Sequence, residues 1–427
     1  MAAPDHRLEL RPFRGIRYNP AVVGELGRVL APPYDVIDDR QRDELERAHL
    51  HNVVRLILPV ADGAADPYVA AARLFESWLN DGVLLIDDEP ALYVYQQRLG
   101  ETVLQRGLLG AVRIVPLDAG AILPHERVRP GPVADRLALM RAMRGNPEPV
   151  LLLYDGGGPA TAAMAQAVGE PPTLTAHTPD GVVHEVWTIR DADSLAAIDA
   201  DLATRRALIA DGHHRYTTYG YLRDEIRGAG IGEGPWDFGL ALLVDDSVAA
   251  PRVDAIHRVI PALPFDEALS RAAKAFSVEF LPHTEVSRAL EVLASAPAHS
   301  FLVSDGERFA LLTDPDADDV ASARPDDHTE AWWRLDASIA AVYLMDRLWS
   351  VTDGTDDVVA EHDPVTVLRS ARQSGGTALF LKPAPLGDIW AVAESGDVMP
   401  RKSTLFLPKP RSGVVMRSFA ADSSTRT

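Results

Sequence analysis

Cysteine is absent from this 427-residue chain, which removes disulfides, thiolate metal sites, iron–sulfur clusters and cysteine nucleophiles together. Lysine is nearly absent too: of 42 basic residues only Lys274, Lys382, Lys402 and Lys409 are not arginine. With abundant Ala, Asp and Gly this points to a GC-biased genome, so a lysine that resists the bias marks a place where a compact ammonium is wanted. Positive charge is scarce overall. The 62 acidic residues leave a formal charge of −20, which repels phosphate backbones and anionic lipid and argues against duplex nucleic acid as a partner. No window reaches the ~18 uninterrupted apolar residues of a membrane span. Residues 1–10, with Asp5, His6, Arg7 and Glu9, lack the apolar core of a signal peptide. The expectation is a cytoplasmic protein with no membrane partner.

At this length, with 47% hydrophobic residues, a single core stops growing and two lobes are expected. Short apolar runs alternate with amphipathic helices, the pattern of an α/β (mixed α+β) fold. Residues 53–58 (VVRLIL), 91–95, 108–115, 150–154, 207–210 and 240–244 read as strands. Residues 67–80 read as a helix with Tyr68, Ala71, Ala72, Phe75 and Leu79 on one face, and so do residues 215–227, with Tyr216, Tyr219, Leu222 and Ile226. Residues 159–179 read as a helix with a loose exit. A boundary falls in Pro261-Ala262-Leu263-Pro264, giving an N-terminal α/β region over 1–262, a C-terminal α/β region over 263–418 and a disordered tail over 419–427. The Asp-rich stretches 314–319 and 353–357 read as solvated loops.

The strongest chemical signal is Asp211-Gly212-His213-His214-Arg215, where an apolar strand runs through a glycine into a helix. A helix N-terminus presents backbone N–H groups and a positive dipole end to an anion. Arg215 offers a planar two-pronged donor suited to phosphate, and either histidine can donate near neutral pH. Asp211 could bind a cation such as Mg²⁺, act as a base, or cap the helix. A second group is Pro124-His125-Glu126-Arg127 with Asp135 and Arg136, in which Glu126 is available as a general base. His257-Arg258 could add charge to the same pocket. The segment 399–409 holds two of the four lysines; its Lys402-Ser403 is no Walker A loop, since Arg401 stands where that motif needs glycine. Gly156-Gly157-Gly158 lacks dinucleotide-binding spacing and reads as a turn. Gly230-Ile231-Gly232-Glu233-Gly234 follows a helix and reads as its stop.

These residues also carry a resemblance. Pro12 to Tyr18, Ala31-Pro32-Pro33-Tyr34-Asp35-Val36-Ile37, Asn52 to Pro59, His125-Glu126, Asp135-Arg136, Ile209 to Tyr216, His257-Arg258 and Met399 to Lys409 recur, in order and nearly end to end, in bacterial and archaeal proteins grouped as domain of unknown function 1015. The Asp-Gly-His-His-Arg element is similar to one in free serine kinases whose fold is shared with ParB partition proteins and sulfiredoxin. That similarity implies a ParB/sulfiredoxin-like core around the loop, with Asp211, Gly212, His213, His214 and Arg215 at nucleotide phosphates. It fixes no base; Glu126 is taken first and Asp35 second, with His125 beside them. Family members tend to occur beside serine-biosynthesis enzymes.

The leading expectation is a nucleotide-dependent phosphotransferase acting on a small hydroxyl metabolite such as free serine, with ATP or ADP as co-substrate and Mg²⁺ as cofactor. Phosphoryl transfer relies on positioning and cationic stabilisation, which His213, His214, Arg215, His257, Arg258, Lys402 and Ser403 could supply. Two rivals are a metal-dependent hydrolase with His125, His213, His214 and Asp211 as ligands, and a non-catalytic nucleotide or phosphometabolite sensor. Donor, acceptor, reaction direction and oligomeric state are left open.

Overall fold

The structure is a computed structural model and describes residues 7–61, 63, 66–282 and 285–423. The chain forms two compact units: Met1–Pro124 with Val128–Pro251 and Pro408–Thr427, and His125–Arg127 with Arg252–Leu407.

The first unit is built on nine strands: β1 (Leu10–Arg11), β2 (Leu92–Leu99), β3 (Thr102–Arg113), β4 (Ile122–Leu123), β5 (Val150–Tyr154), β6 (Leu174–His177), β7 (Val182–Ile189), β8 (Ala207–Asp211) and β9 (Phe238–Asp245). Their order is β4-β8-β5-β9-β3-β2-β7-β6, with β1 against β3. The sheet is mixed, β9 running parallel to β5 and β8 parallel to β4 while the other pairs are antiparallel. The apolar runs of β5 and β9 lie at its centre and are wholly buried, as strands covered on both faces must be. Opposite Leu152, β8 shifts register between Ile209 and Asp211, a bulge that turns the strand's end.

Local sequence explains the helices that matter here. α2 (Pro67–Asn80) starts where Asp66 accepts from the Tyr68 and Val69 amides, carries Pro67 in its first turn and buries Ala71, Phe75 and Trp78. α3 (Pro130–Met143) and α4 (His213–Gly228) pack on each other, and α4 buries Tyr216, Tyr219 and Leu222 in the core.

The run at 53–58 is not a strand. Val54–Ile57 forms one helical turn, α1, because the Asn52 side chain accepts from the Val54 amide and donates to the carbonyls of Arg28 and Leu30. With Val53, Val54, Leu56 and Ile57 all fully buried, periodicity could not tell strand from helix.

The second unit holds a six-stranded sheet of β10 (His257–Ile260), β11 (Ser277–Leu281), β12 (Phe301–Ser304), β13 (Phe309–Thr313), β14 (Val359–Glu361) and β15 (Thr377–Phe380), ordered β11-β13-β12-β15-β10-β14. Alternate residues serve opposite faces. Phe301, Val303, Ala310, Leu312 and Leu379 pack with Ile339, Tyr343 and Trp349; Leu302, Phe309, Leu311, Ala378 and Phe380 pack with Leu293 and Val367.

The observed division differs from the one expected. The change of unit comes at Pro251, not 262, because β10 pairs with β14 and β15. Nor does the C-terminal region stay in the second unit. From Pro408 the chain rejoins the first, with bridges from Ala31 to Ser412 and from Ile16 to Met416. The tail expected to be disordered from 419 is helical over Phe419–Ser423: Phe419 is buried in the core and Arg417 pairs with Asp422 at 2.7 Å. Residues 424–427 lie outside the described part. The Asp-rich stretch 314–319 supplies Asp316 as the cap of the helix Ala317–Ser322, and residues 159–179 divide into the helix Pro159–Ala167 and β6. Among the described residues no helix is long and apolar enough to cross a membrane.

Candidate functional site

The bulge that ends β8 delivers Asp211 to the start of α4. Gly212 follows at φ +94°, where any other residue would be strained, and a Cβ there would press on Arg215 Nε at 3.0 Å. Gly212 is the cap of α4 and no side chain caps it. Asp211 therefore does not cap the helix. Its Oδ2 accepts from Arg215 Nη2 one turn later, and its Oδ1 pairs with Lys409 Nζ at 2.6 Å. Lys409 also reaches Asp35 Oδ2 at 2.5 Å, so one ammonium is shared by two carboxylates.

Lys409 is carried by a strap of residues 408–412. Gln105 donates to the Pro408 carbonyl (3.0 Å), Gln97 to the Lys409 carbonyl (3.3 Å), and the Arg411 amide donates to Tyr95 Oη (3.3 Å). Ser412 exchanges backbone hydrogen bonds with Ala31 and donates its hydroxyl to the buried Glu148 (2.9 Å). Glu148 Oε1 also accepts from the Tyr34 amide (3.0 Å), which fixes the turn bearing Asp35. Below it, buried Arg136 stacks on the Tyr34 ring at 4.1 Å and donates to the Ile57 carbonyl at 2.6 Å. Four segments far apart in sequence, 34–35, 136–148, 211–215 and 409–412, thus meet within the first unit.

Electrostatics follow from burial and pairing. Burial alone would raise the Asp211 pKa, but the charges of Lys409 and Arg215 outweigh it and hold the carboxyl well below the usual range. Burial opposes the charge of Lys409 as well, yet Asp211 and Asp35 raise it. Arg215 is raised in the same way against burial, by Asp211 and then Glu148. Burial pushes the Tyr34 phenol up to about 12. His214 is shifted down by burial and then by Arg129, whose amide donates to His214 Nε2 at 3.0 Å; the neutral ring then carries its proton on Nδ1.

Arg215, expected to offer a two-pronged donor to phosphate, is engaged here by its own loop. Its side chain is 1% exposed, with Nη1 on the Pro149 carbonyl (2.5 Å) and Nη2 on Asp211, so its fork braces the loop. His213 is buried. Asp211, expected as a possible Mg²⁺ ligand, has a cationic donor on each of its oxygens. Among the described residues no group of three or more His, Asp or Glu side chains could hold a metal ion, which leaves the hydrolase reading without its ligand set.

The remaining expected residues belong to the second unit. There His125 is buried against Thr404 Oγ1 (3.0 Å) and the Phe406 ring, with Glu126 next to it. His257, expected to lend charge, is instead a core residue of β10: burial and then Arg258 lower its pKa to about 4, and its Nδ1 accepts from the Leu381 amide at 3.3 Å. Arg258 is spent on a two-pronged pair with Asp353 (2.9 Å each) and on the carbonyls of Arg401 (2.8 Å) and Lys402 (3.0 Å). The Ser403 hydroxyl donates to the Pro400 carbonyl at 2.6 Å, and Lys402 is exposed at φ +54°. Sequence reasoning thus chose Lys402 from its segment and passed over Lys409. The signal for Lys409 was present, since the rarity of lysine applied to both. Glu148 gave none, standing between two prolines with nothing to mark it.

Several solved structures resemble the chain distantly. SbnI with a C-terminal truncation, from Staphylococcus aureus, matches at 13% identity over 71% of this chain and 85% of that one, with a TM-score of 0.35. A mutant free serine kinase in complex with ADP matches at 14% identity over 70% and 90%, TM-score 0.34. A conserved hypothetical protein from Pyrococcus furiosus matches at 13% over 72% and 95%, TM-score 0.33. No curated protein matches the chain. Residues 10–338 match the family described as Protein of unknown function (DUF1015), and the chain belongs to that family.

Proposed function

We propose that this protein is a phosphotransferase that moves a phosphoryl group between a nucleotide and a small hydroxyl metabolite, with its site in the first unit. The observation that carries the reading is Lys409 Nζ held between Asp35 and Asp211 in the unit whose helix α4 begins, without a side-chain cap, right after Asp211. Two carboxylates hold this ammonium, and the more exposed of them, Asp35, is the one that can give way to a phosphate oxygen. The α4 N-terminus adds the favourable end of a helix dipole.

In the forward direction the acceptor hydroxyl attacks the terminal phosphorus of a nucleoside polyphosphate. Asp35 takes the hydroxyl proton, the new O–P bond forms, and the bridging O–P bond breaks with its electron pair leaving on the nucleotide. Lys409 and the α4 amides stabilise the charge on the transferred group. Asp35 is preferred to Glu126 as base because it shares a unit with Asp211 and Lys409. Free serine is the acceptor to try first, since the Asp211–Arg215 element resembles that of free serine kinases.

A thermal-shift screen with ATP, ADP, phosphoserine and serine tests the reading, because a ligand at ~100 times its dissociation constant stabilises by ~2.7 kcal/mol. Stabilisation by a nucleotide with turnover supports a transferase. Stabilisation with no turnover for any acceptor supports the sensor. No stabilisation by any of the four contradicts both.

A further inference from the structure

The two carboxylates that share Lys409 are not equivalent. Asp211 is 12% exposed and is also held by Arg215, whereas Asp35 is 36% exposed and rides on the short turn Tyr34–Val36. Pulling Lys409 away from Asp211 would strip a buried carboxylate of a partner, which is costly. Pulling it away from Asp35 returns a half-exposed carboxylate to water, which costs little. A phosphate oxygen that binds Lys409 therefore has one easy competitor to displace. The competitor is the carboxylate assigned above as base.

Resting on that phosphotransferase reading, we infer that Asp35 and Lys409 form a ligand-operated latch: a phosphorylated donor takes Lys409 from Asp35 and frees the Asp35 carboxylate beside the bound phosphate. No covalent bond changes in this exchange of ion pairs. It orders the reaction, because the base is masked until the donor is in place and becomes free where the acceptor hydroxyl must lose its proton. The strap of Gln97, Gln105 and Ser412 contacts fixes the Lys409 backbone, so the ammonium changes partners without the chain moving.

The latch makes a prediction that an ordinary phosphate-site carboxylate does not: removing Asp35 tightens anion binding while it abolishes turnover. Calorimetric titration of the full chain with inorganic pyrophosphate and with ADP, on wild type and Asp35→Asn, reads this directly. Affinity in the variant should rise by roughly two- to fivefold, the worth of a partly exposed ion pair no longer in competition. Asp35→Ser serves as the second variant, and a melting curve checks that each is folded. Unchanged or weaker binding in folded variants overturns the latch. Tighter binding with no turnover by wild type on any donor keeps the latch and removes the phosphotransferase. Wild-type turnover with unchanged variant affinity does the reverse. Neither anion binding to either protein removes both.

Discussion

Lys409 Nζ lies 2.6 Å from Asp211 Oδ1, with the two side chains only 10% and 12% exposed. Lys409→Met would leave the buried Asp211 carboxylate with Arg215 as its remaining ion-pair partner. The expected loss is about 3 kcal/mol of stability, at the low end for breaking a buried pair because Arg215 stays. Nucleotide binding should be lost as well. Denaturant melts and calorimetry on one preparation check both, and a variant as stable as wild type that still binds nucleotide would show Lys409 to be incidental.

Arg215→Lys separates bracing from ligand contact. A lysine keeps the charge but cannot present two parallel donors to Asp211 and the Pro149 carbonyl. The expected outcome is a stability loss of about 2 kcal/mol, with nucleotide affinity per folded molecule nearly kept. A normal melting temperature with affinity lost would put the guanidinium on the ligand after all.

Two carboxylates compete for the role of base. Asp35→Asn should cut turnover by ~10² to 10⁴, the usual worth of a general base, while Glu126→Gln leaves turnover per folded molecule at the wild-type level. Steady-state kinetics on both variants decide between them. Full activity in Asp35→Asn with loss in Glu126→Gln would hand the role to Glu126.

Acid should weaken the fold through its buried histidines. His257, and His184 between Tyr95 and Thr178, titrate near 4 in the folded protein, each shifted mainly by burial. The unfolded chain takes up these protons near 6.5, so it binds more protons than the native state between those values. Stability is therefore fully present above about pH 6.5 and falls toward pH 4, by on the order of 3 kcal/mol per histidine. Melting curves across that window should show the decline, and His257→Gln should flatten it. A profile independent of pH in both proteins would contradict the assignment.

Much of this was legible in sequence and some was not, for physical reasons. The runs at 150–154 and 240–244, the apolar face of α2 and the strand-to-helix turn at Gly212 all have local causes, and local reading found them. Val53 to Leu58 misled because four of its six residues are fully buried, which leaves too little periodicity to tell strand from helix. His257-Arg258 could be read as ligand groups or as a satisfied polar pair, and the contacts favour the second, with Arg258 on Asp353 and two carbonyls. Lys409 was missed because its value depends on a return of the chain across nearly 200 residues to meet Asp211. No local pattern records such a return.

The most direct measurement is phosphorus NMR of the full chain mixed with serine and, in separate tubes, ATP and ADP, run beside Asp35→Asn and Lys409→Met. The account predicts that in at least one wild-type tube a phosphomonoester signal grows as the nucleotide's terminal phosphorus disappears, and that neither variant forms it. Product formed equally by wild type and both variants would contradict the site, and intact nucleotide in every tube would contradict transfer to serine.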